Sequence, residues 1–326
     1  MSLTSSIKKS LGILPQEYVC VALEDMPDRP SVFMTTRGSS AVIDVTSRHL
    51  FLGYKPLLIA IPPDDAGGEL QSANQICLSF THGEFKPGEQ WRGFNSHANS
   101  IARLQLSQMT DDLKFPGLSI FAGEFGEQSF LPTRQALANK LVDALSRKPA
   151  SEANVTGNLY EQVRIAYCSP RPISVITVKD DDLQNFFPTD LHGSLGSEFY
   201  LSSLRVGGMA CEQVEHVRRL VISKVDVTSF RKTYSLGRNH MKTMQPVTCF
   251  EPAVVQSASG IPVYPHATSY CELELIRHID IGIHRIFLYK TQAKGEVRSG
   301  KTLAHIHRYY AQWRINHHLS AEYFFR

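Results

Sequence analysis

Apolar residues in the second half of the chain recur in short runs of period two. Cys271-Glu272-Leu273-Glu274-Leu275 alternates apolar with charged positions, the pattern of a strand with one face buried and one face wet. The stretch CELELIRHIDIGIHRIFLYKT turns near Gly282 and resumes through Ile286, Leu288 and Lys290, which predicts a hairpin of two long antiparallel strands. Val175 to Val178 and Glu198 to Leu204 carry β-branched and aromatic residues between turn signals and read as strands too. The terminal LAHIHRYY, residues 303 to 310, alternates in the same way. Helical spacing is rarer. Leu137, Leu141, Val142 and Leu145 recur at helical intervals after Thr133, a candidate N-cap, and before Pro149. A second helix is expected over Met209 to Val217. The expected fold class is therefore mainly β with a few helices, its strands forming the wall of a barrel or a sandwich.

The pattern also repeats. Residues 29 to 61 align with residues 171 to 204 across one single-residue gap near the start, and at an offset of 143 Thr46, His49, Leu52 and Gly53 fall on Thr189, His192, Leu195 and Gly196. Gly67-Gly68 answers Gly207-Gly208, and Gly93 with Asn95 answers Gly237 with Asn239 after small changes of offset. A chain of 326 residues has room for about two domains at roughly 150 residues each. The polar segment 147 to 158, with Pro149 and Gly157, divides it nearly in half. Two related halves are expected, 1–155 and 156–326.

Composition narrows the function classes. The hydrophobic share is 42% and the charged share 20%, ordinary globular usage. A net charge of +3 is too small a surplus to serve as a footprint for a nucleic-acid backbone. The longest aliphatic run, Leu57 to Ile61, stops at Pro56 and Pro62, far short of the roughly 20 residues a membrane helix needs. Lys8 and Lys9 precede only the short apolar Leu11 to Leu14 before Pro15, too little for a secretory signal. Cys20, Cys77, Cys168, Cys211, Cys249 and Cys271 are widely spaced, without a CxxC pair. They are expected to be reduced and mostly buried, in a cytoplasmic protein that meets neither membrane nor nucleic acid.

Several literal motifs can be weighed. Gly295 to Thr302 satisfies GxxxxGK[ST], but the parallel strands and Walker-B carboxylate of a phosphate-binding loop would have to lie upstream, and residues 303 to 310 alternate like a strand. A strand-connecting loop is expected. His305 and His307 share one strand face, near His317 and His318, yet no ordered third or fourth ligand is fixed by spacing, so no metal site is assigned. His49 and His192 occupy matching repeat positions and fit hydrogen bonds in turns. GxSxG, GxGxxG and a papain-like cysteine neighbourhood are absent, leaving hydrolase and Rossmann dinucleotide readings without their motifs.

Pro170-Arg171-Pro172, the strand Ile173 to Val178, the charged turn Lys179 to Asp182, Asn185 with Pro188-Thr189, the strand Tyr200 to Arg205 and the short helix Met209 to Val217 follow one another in order. Together they resemble the flavin reductase-like family of FMN-binding split β-barrels, over about residues 160 to 312. The resemblance implies a split β-barrel, with the N-terminal half as a degenerate copy and the two halves packed as an intrachain pseudo-dimer; a homodimer is the other arrangement. It implies FMN as cofactor and NAD(P)H as electron donor, with electrons passed through flavin to a small acceptor. It places Asn185, Pro188, Thr189, Ser202, Ser203 and Arg205 at the flavin, with Thr189 and Arg205 nearest the phosphate. No catalytic side chain is implied, because the cofactor carries the reaction. Two alternatives stand beside this reading. One is a haem-binding or haem-degrading barrel using the histidines between His305 and His318. The other is a non-catalytic interaction module, favoured by departures from the family at Phe187 and in the first half.

Overall fold

The computed structural model describes residues 18–62, 73–109, 118–130, 158–252 and 255–319. The expected helix after Thr133, the 147–158 boundary up to Gly157, Gly67-Gly68 and the segment around Lys8 to Pro15 lie outside the described residues. The protein is mainly β. The first half contributes β1 (Tyr18–Ala22), β2 (Ser31–Thr36), β3 (Val42–Asp44), β4 (Leu50–Gly53), β5 (Leu58–Ile61), β6 (Gln75–Thr81), the small hairpin β7 (Pro87–Trp91) and β8 (Phe94–His97), β9 (Ala102–Gln108) and β10 (Ser119–Gln128). The second half opens with helix α1 (Leu159–Ala166) and continues through β11 (Arg171–Pro172), β12 (Ser174–Asp180), β13 (Leu183–Thr189), β14 (His192–Leu195) and β15 (Phe199–Arg205). Then come α2 (Met209–Val217), β16 (Arg219–Val225), α3 (Phe230–Ser235), β17 (Gln245–Pro246), β18 (Ala267–Ile281), β19 (His284–Glu296), β20 (Leu303–His307) and α4 (Arg308–Asn316).

Two large antiparallel sheets result. The first runs β3-β2-β6-β9-β10-β5-β4 and the second β14-β15-β19-β18-β16-β12-β13-β17. Read from opposite ends, they list corresponding strands in the same order, with β17 added at one edge of the second. The register of one pair carries over as well: Phe33 faces Asp44, and at the offset of 143 Ile176 faces Phe187. In the second sheet the Ser203 N–H donates to the Leu191 carbonyl at 2.8 Å, extending the β14–β15 hairpin one position beyond the His192–Ser202 pair.

Packing explains the sequence pattern. On β12, Ile176 and Val178 enter the interior of the second sheet with Phe187, Leu220 and Phe287, while Val175 faces a separate cluster with Phe186 and Val221. Both faces are covered, so the strand reads as a continuous apolar run. The long hairpin turns at Gly282, whose φ is +59°. A Cβ there would stand 2.0 Å from the Lys55 carbonyl oxygen, so only glycine allows this approach of the two halves.

The halves meet along an apolar layer, the seam, in which Leu52, Leu58, Ala60 and Ile120 pack with Leu201, Ile281, Ile286 and Leu288. A second junction is the three-stranded sheet β1-β20-β11, where β20 pairs with the start of each half. The alternation of LAHIHRYY holds through His307 and then gives way to α4. The His307 imidazole accepts from the Tyr309 N–H at 3.1 Å, an N-cap that starts the helix where alternation predicted more strand. All six cysteines are free, and four of them are buried. No helix among the described residues is long and apolar enough to cross a membrane.

Candidate functional site

The six residues expected at the flavin sit on β13 and β15, which stand near opposite ends of the second sheet and are linked in the chain through β14. Their side chains diverge. Asn185 is buried, and its Nδ2 donates to Gln213 Oε1 at 2.9 Å and to the Asn239 carbonyl at 3.1 Å. It thus fastens β13 to α2 and to the 3-10 turn Leu236–Met241. Pro188 contributes its carbonyl to His240 Nε2 at 2.7 Å. Thr189 Oγ1 accepts from the Leu191 N–H at 3.3 Å and shapes the turn. Strand periodicity separates Ser202 from Ser203. Ser202 points inward with Tyr200 and Leu204 and bonds the Tyr289 hydroxyl at 2.8 Å. Ser203 points to the seam and meets His284 Nδ1 at 3.3 Å. Arg205, on the same face as Ser203 by that periodicity, is exposed at the strand end.

His284 marks where the halves touch: a Cβ on Gly53 would lie 2.7 Å from its ring, and Tyr54 packs edge-on against it. Burial and the Arg205 charge push the His284 imidazole down to about 4, while the Asp190 charge opposes them. Asp190 was not singled out by the sequence, yet it is the electrostatic centre of this region. Its Oδ2 accepts from the Tyr167 hydroxyl at 2.6 Å and from His305 Nε2 at 2.7 Å. His305 Nδ1 in turn meets the Tyr234 hydroxyl at 3.1 Å. Burial alone would raise the Asp190 carboxyl, but the His305 ring, the Tyr167 hydroxyl and the Arg171 guanidinium outweigh it and hold the carboxyl well below the usual range. An ionised carboxylate only accepts hydrogen bonds, so His305 donates through Nε2. Arg171 is itself buried, spends its Nε and Nη2 on the Ala166 carbonyl at 3.1 and 2.9 Å, and lies over the Phe51 ring.

Burial pushes His192 down to about 4, opposed by Asp190. His192 bonds the Tyr200 hydroxyl at 2.7 Å and the Pro172 carbonyl at 3.2 Å. Chemically, the seam offers one serine hydroxyl, a neutral imidazole and, at the strand end, an exposed guanidinium against an apolar wall. An open groove of about 650 Å³ on the first half, lined by Arg37, Asn74, Gln75 and Ser107 among others, includes none of the six expected residues.

The remaining motifs have structural partners. In the GxxxxGK[ST] segment, Lys301 Nζ donates to both oxygens of Asp25 at 2.6 and 2.8 Å, and the Thr302 N–H and hydroxyl donate to Glu24 at 2.7 Å each. Carboxylates stand where a phosphate-binding loop would need an anion. His305 and His307 share a face with Tyr18 against both rings, but both nitrogens of His305 are engaged and His307 caps α4. Among the described residues no group of three or more His, Cys, Asp or Glu is placed to hold a metal ion.

Asp190 and His305 lie 115 positions apart, which is why no local motif announces their pairing. The one available signal was the TDLHG turn between two predicted strands.

No protein-family model matches the sequence. No curated protein matches it either. Solved structures do resemble the chain. An FMN-binding protein from Thermus thermophilus, solved with bound 1-cyclohex-2-enone, is 18% identical over 46% of this chain and 80% of its own, with a TM-score of 0.36. The flavin reductase component of a bacterial two-component tryptophan halogenase is 17% identical over 43% and 88%, at 0.38. An NADH:FAD oxidoreductase from Streptomyces globisporus is 16% identical over 48% and 94%, at 0.40. Each of these similarities spans about half of the chain, and the solved proteins it is similar to are flavin reductases and FMN-binding proteins.

Proposed function

We propose that the chain is a flavin reductase-like oxidoreductase that binds FMN at the seam between its halves, takes electrons from NAD(P)H and passes them to a small acceptor. The observation that supports this reading is the meeting of Ser203 and His284 on the seam, with Arg205 exposed at the end of the same strand, against apolar side chains. The residues fit a flavin in part. Arg205 offers a fork for a phosphate, Ser203 offers a hydroxyl, and Thr189 holds the turn beside them. Asn185 and Ser202 are engaged within the barrel and act by fixing α2 and β19. FMN, when bound, supplies a ring that accepts and releases electrons as hydride; the chain's own groups bind it, orient it and keep water away.

In this reading residues 1–155 and 156–326 are two split-barrel copies, and the chain carries its own dimer partner. The free cysteines fit a reducing, cytoplasmic setting. A non-catalytic interaction module is the second reading, supported by the engagement of Asn185 and Ser202 in purely structural bonds.

The visible spectrum of the purified protein, before and after addition of FMN, separates the two. A flavin double band supports the oxidoreductase; a preparation that stays colourless after FMN is added sinks it. Arg205→Ala is expected to weaken FMN binding about 10- to 100-fold, the worth of a charged hydrogen bond, as read by fluorescence titration. Unchanged affinity removes Arg205 from the site.

A further inference from the structure

We propose that the first half binds a small organic anion in the groove lined by Arg37, Asn74, Gln75 and Ser107, with the anionic group seated on the Arg37 guanidinium. The site is separate from the seam and from the six residues expected at the flavin, so it stands or falls independently of FMN.

The registers of the two sheets show that one face differs in character between the halves. In the second half Ile176 pairs with Ile222 and Ile222 with Cys271; on the next rung Val178 pairs with Leu220 and Leu220 with Leu273. These side chains pack with Ala210, Cys211 and Val214 of α2 in one apolar interior. At the offset of 143, Ile176 and Val178 correspond to Phe33 and Thr35. The matching rungs of the first half are Phe33, Ser79 and Arg103, then Thr35, Cys77 and Gln105, and Gln75 pairs with Ser107 on the rung after those. Ile76, Leu78, Leu104 and Leu106 belong to the core of the first half, so strand alternation puts Ser79, Arg103, Gln105, Gln75 and Ser107 together on the opposite face. Polar groups stand there in place of the apolar interior of the second half.

That face is not simply wet. Thr35 and Ser79 are buried, and Ser79 Oγ and Arg103 Nε are buried without a hydrogen-bond partner among the described residues. Such atoms are costly unless a polar guest or an ordered water reaches them. The rung of Gln75 and Ser107 opens into the groove of about 650 Å³, a size suited to a whole small molecule. Apart from Ala73 the groove lining is polar, which fits a polar ligand rather than an apolar one.

The charges decide which polar ligand. Glu124, the acid behind the groove, accepts from Ser107 Oγ, from Gln105 Nε2 at 2.8 Å and from Gln75 Nε2 at 3.5 Å. Gln75 Oε1 in turn accepts from Arg37 Nη1 at 3.1 Å. The carboxylate is thus satisfied by protein donors and no carboxylate lines the groove, whereas the exposed Arg37 is held through one N–H and keeps the rest of its fork for a ligand. A guanidinium fork matches a carboxylate or a phosphate. The hydroxyl or amide groups of the same molecule would meet Asn74 and Ser107.

The test is isothermal titration and thermal melting of the full chain with inorganic phosphate and with succinate, each against sodium chloride of equal ionic strength. At least one of the two anions is expected to bind in the millimolar range and to raise the Tm, and the tighter of them tells a phosphoryl ligand from a carboxylate one. Arg37→Gln should weaken binding about tenfold or more. Arg37→Lys, which keeps the charge and loses the fork, should weaken it a few-fold. Glu124→Gln should tighten it by removing a like charge. Arg37 and Glu124 are both exposed, so these changes leave the fold intact. The proposal is overturned by a wild type that binds neither anion, by chloride that raises the Tm as much as they do, by an unchanged Kd in Arg37→Gln, or by weaker binding in Glu124→Gln.

Discussion

The two halves of the molecule share a strand order and diverge in chemistry. At the offset of 143, Ser202, Ser203 and Arg205 correspond to Ile59, Ala60 and Pro62, and Asn185 and Pro188 correspond to Val42 and Val45. Ile59 and Ala60 are fully buried in apolar clusters, so the first half is sealed where the second is polar. Thr189 alone of the six keeps its counterpart, Thr46. Thr46 Oγ1 accepts from the Val32 N–H at 2.8 Å and Thr189 Oγ1 from the Leu191 N–H at 3.3 Å. A threonine that satisfies a backbone amide in both halves serves the fold they share, whereas Ser203 and Arg205 belong to the half that differs. The same backbone accommodates either outcome because apolar alternation sets the sheet, and a few polar replacements on one face set the site.

Buried imidazoles are expected to give the largest measurable effect and to touch both halves. Burial pushes His49 and His284 down to about 4 and His307 down to about 3. In the unfolded chain these rings take up protons below a pH of about 6.5. Between there and about pH 4 the unfolded state therefore binds more protons, and stability falls as the pH falls. The loss is on the order of 2–3 kcal/mol per ring, read as a drop in the urea midpoint between pH 7 and 4.5. Asp190 acts in the same sense but in a lower window: its contribution survives this range and is lost only below about pH 4, as the pH falls toward its depressed folded value. His49→Gln should flatten the slope by the first half's share; an unchanged slope would show that the two halves do not bury their histidines alike.

Gly282→Val comes next, because it sets a side chain against Lys55 at a positive φ. A loss of about 3 kcal/mol or more is expected by chemical denaturation, and a variant as stable as wild type would contradict the close approach of the halves at Lys55. Leu201→Ala, fully buried in the seam, should cost about 3 kcal/mol. Arg205→Ala, exposed, should change stability by less than about 0.5 kcal/mol while weakening FMN, so that a large stability loss would reassign it from the site to the scaffold.

Much of the fold was legible. The hairpin about Gly282, the strand runs near Val175 and Leu201 and the helix Met209–Val217 follow from local period and turn chemistry, which need no distant partner. α4 was not legible, because its start depends on the His307 ring capping Tyr309 after an alternating run. The site was legible only as a neighbourhood. The sequence brought forward Ser202 and Ser203 together, and strand geometry sends them to opposite faces.

By itself, then, the sequence determined the β-rich class and the positions of the main strands, since each is written in spacing along the chain. Only the tertiary structure decided that Asp190 meets His305 and Tyr167, that Asn185 and Ser202 turn inward, and that Gly53, Lys55 and Gly282 bring the halves into contact. Those facts depend on which residues, distant in the chain, the sheets bury against one another: burial keeps His192 and His284 neutral, while His305, Tyr167 and Arg171 hold Asp190 ionised against it.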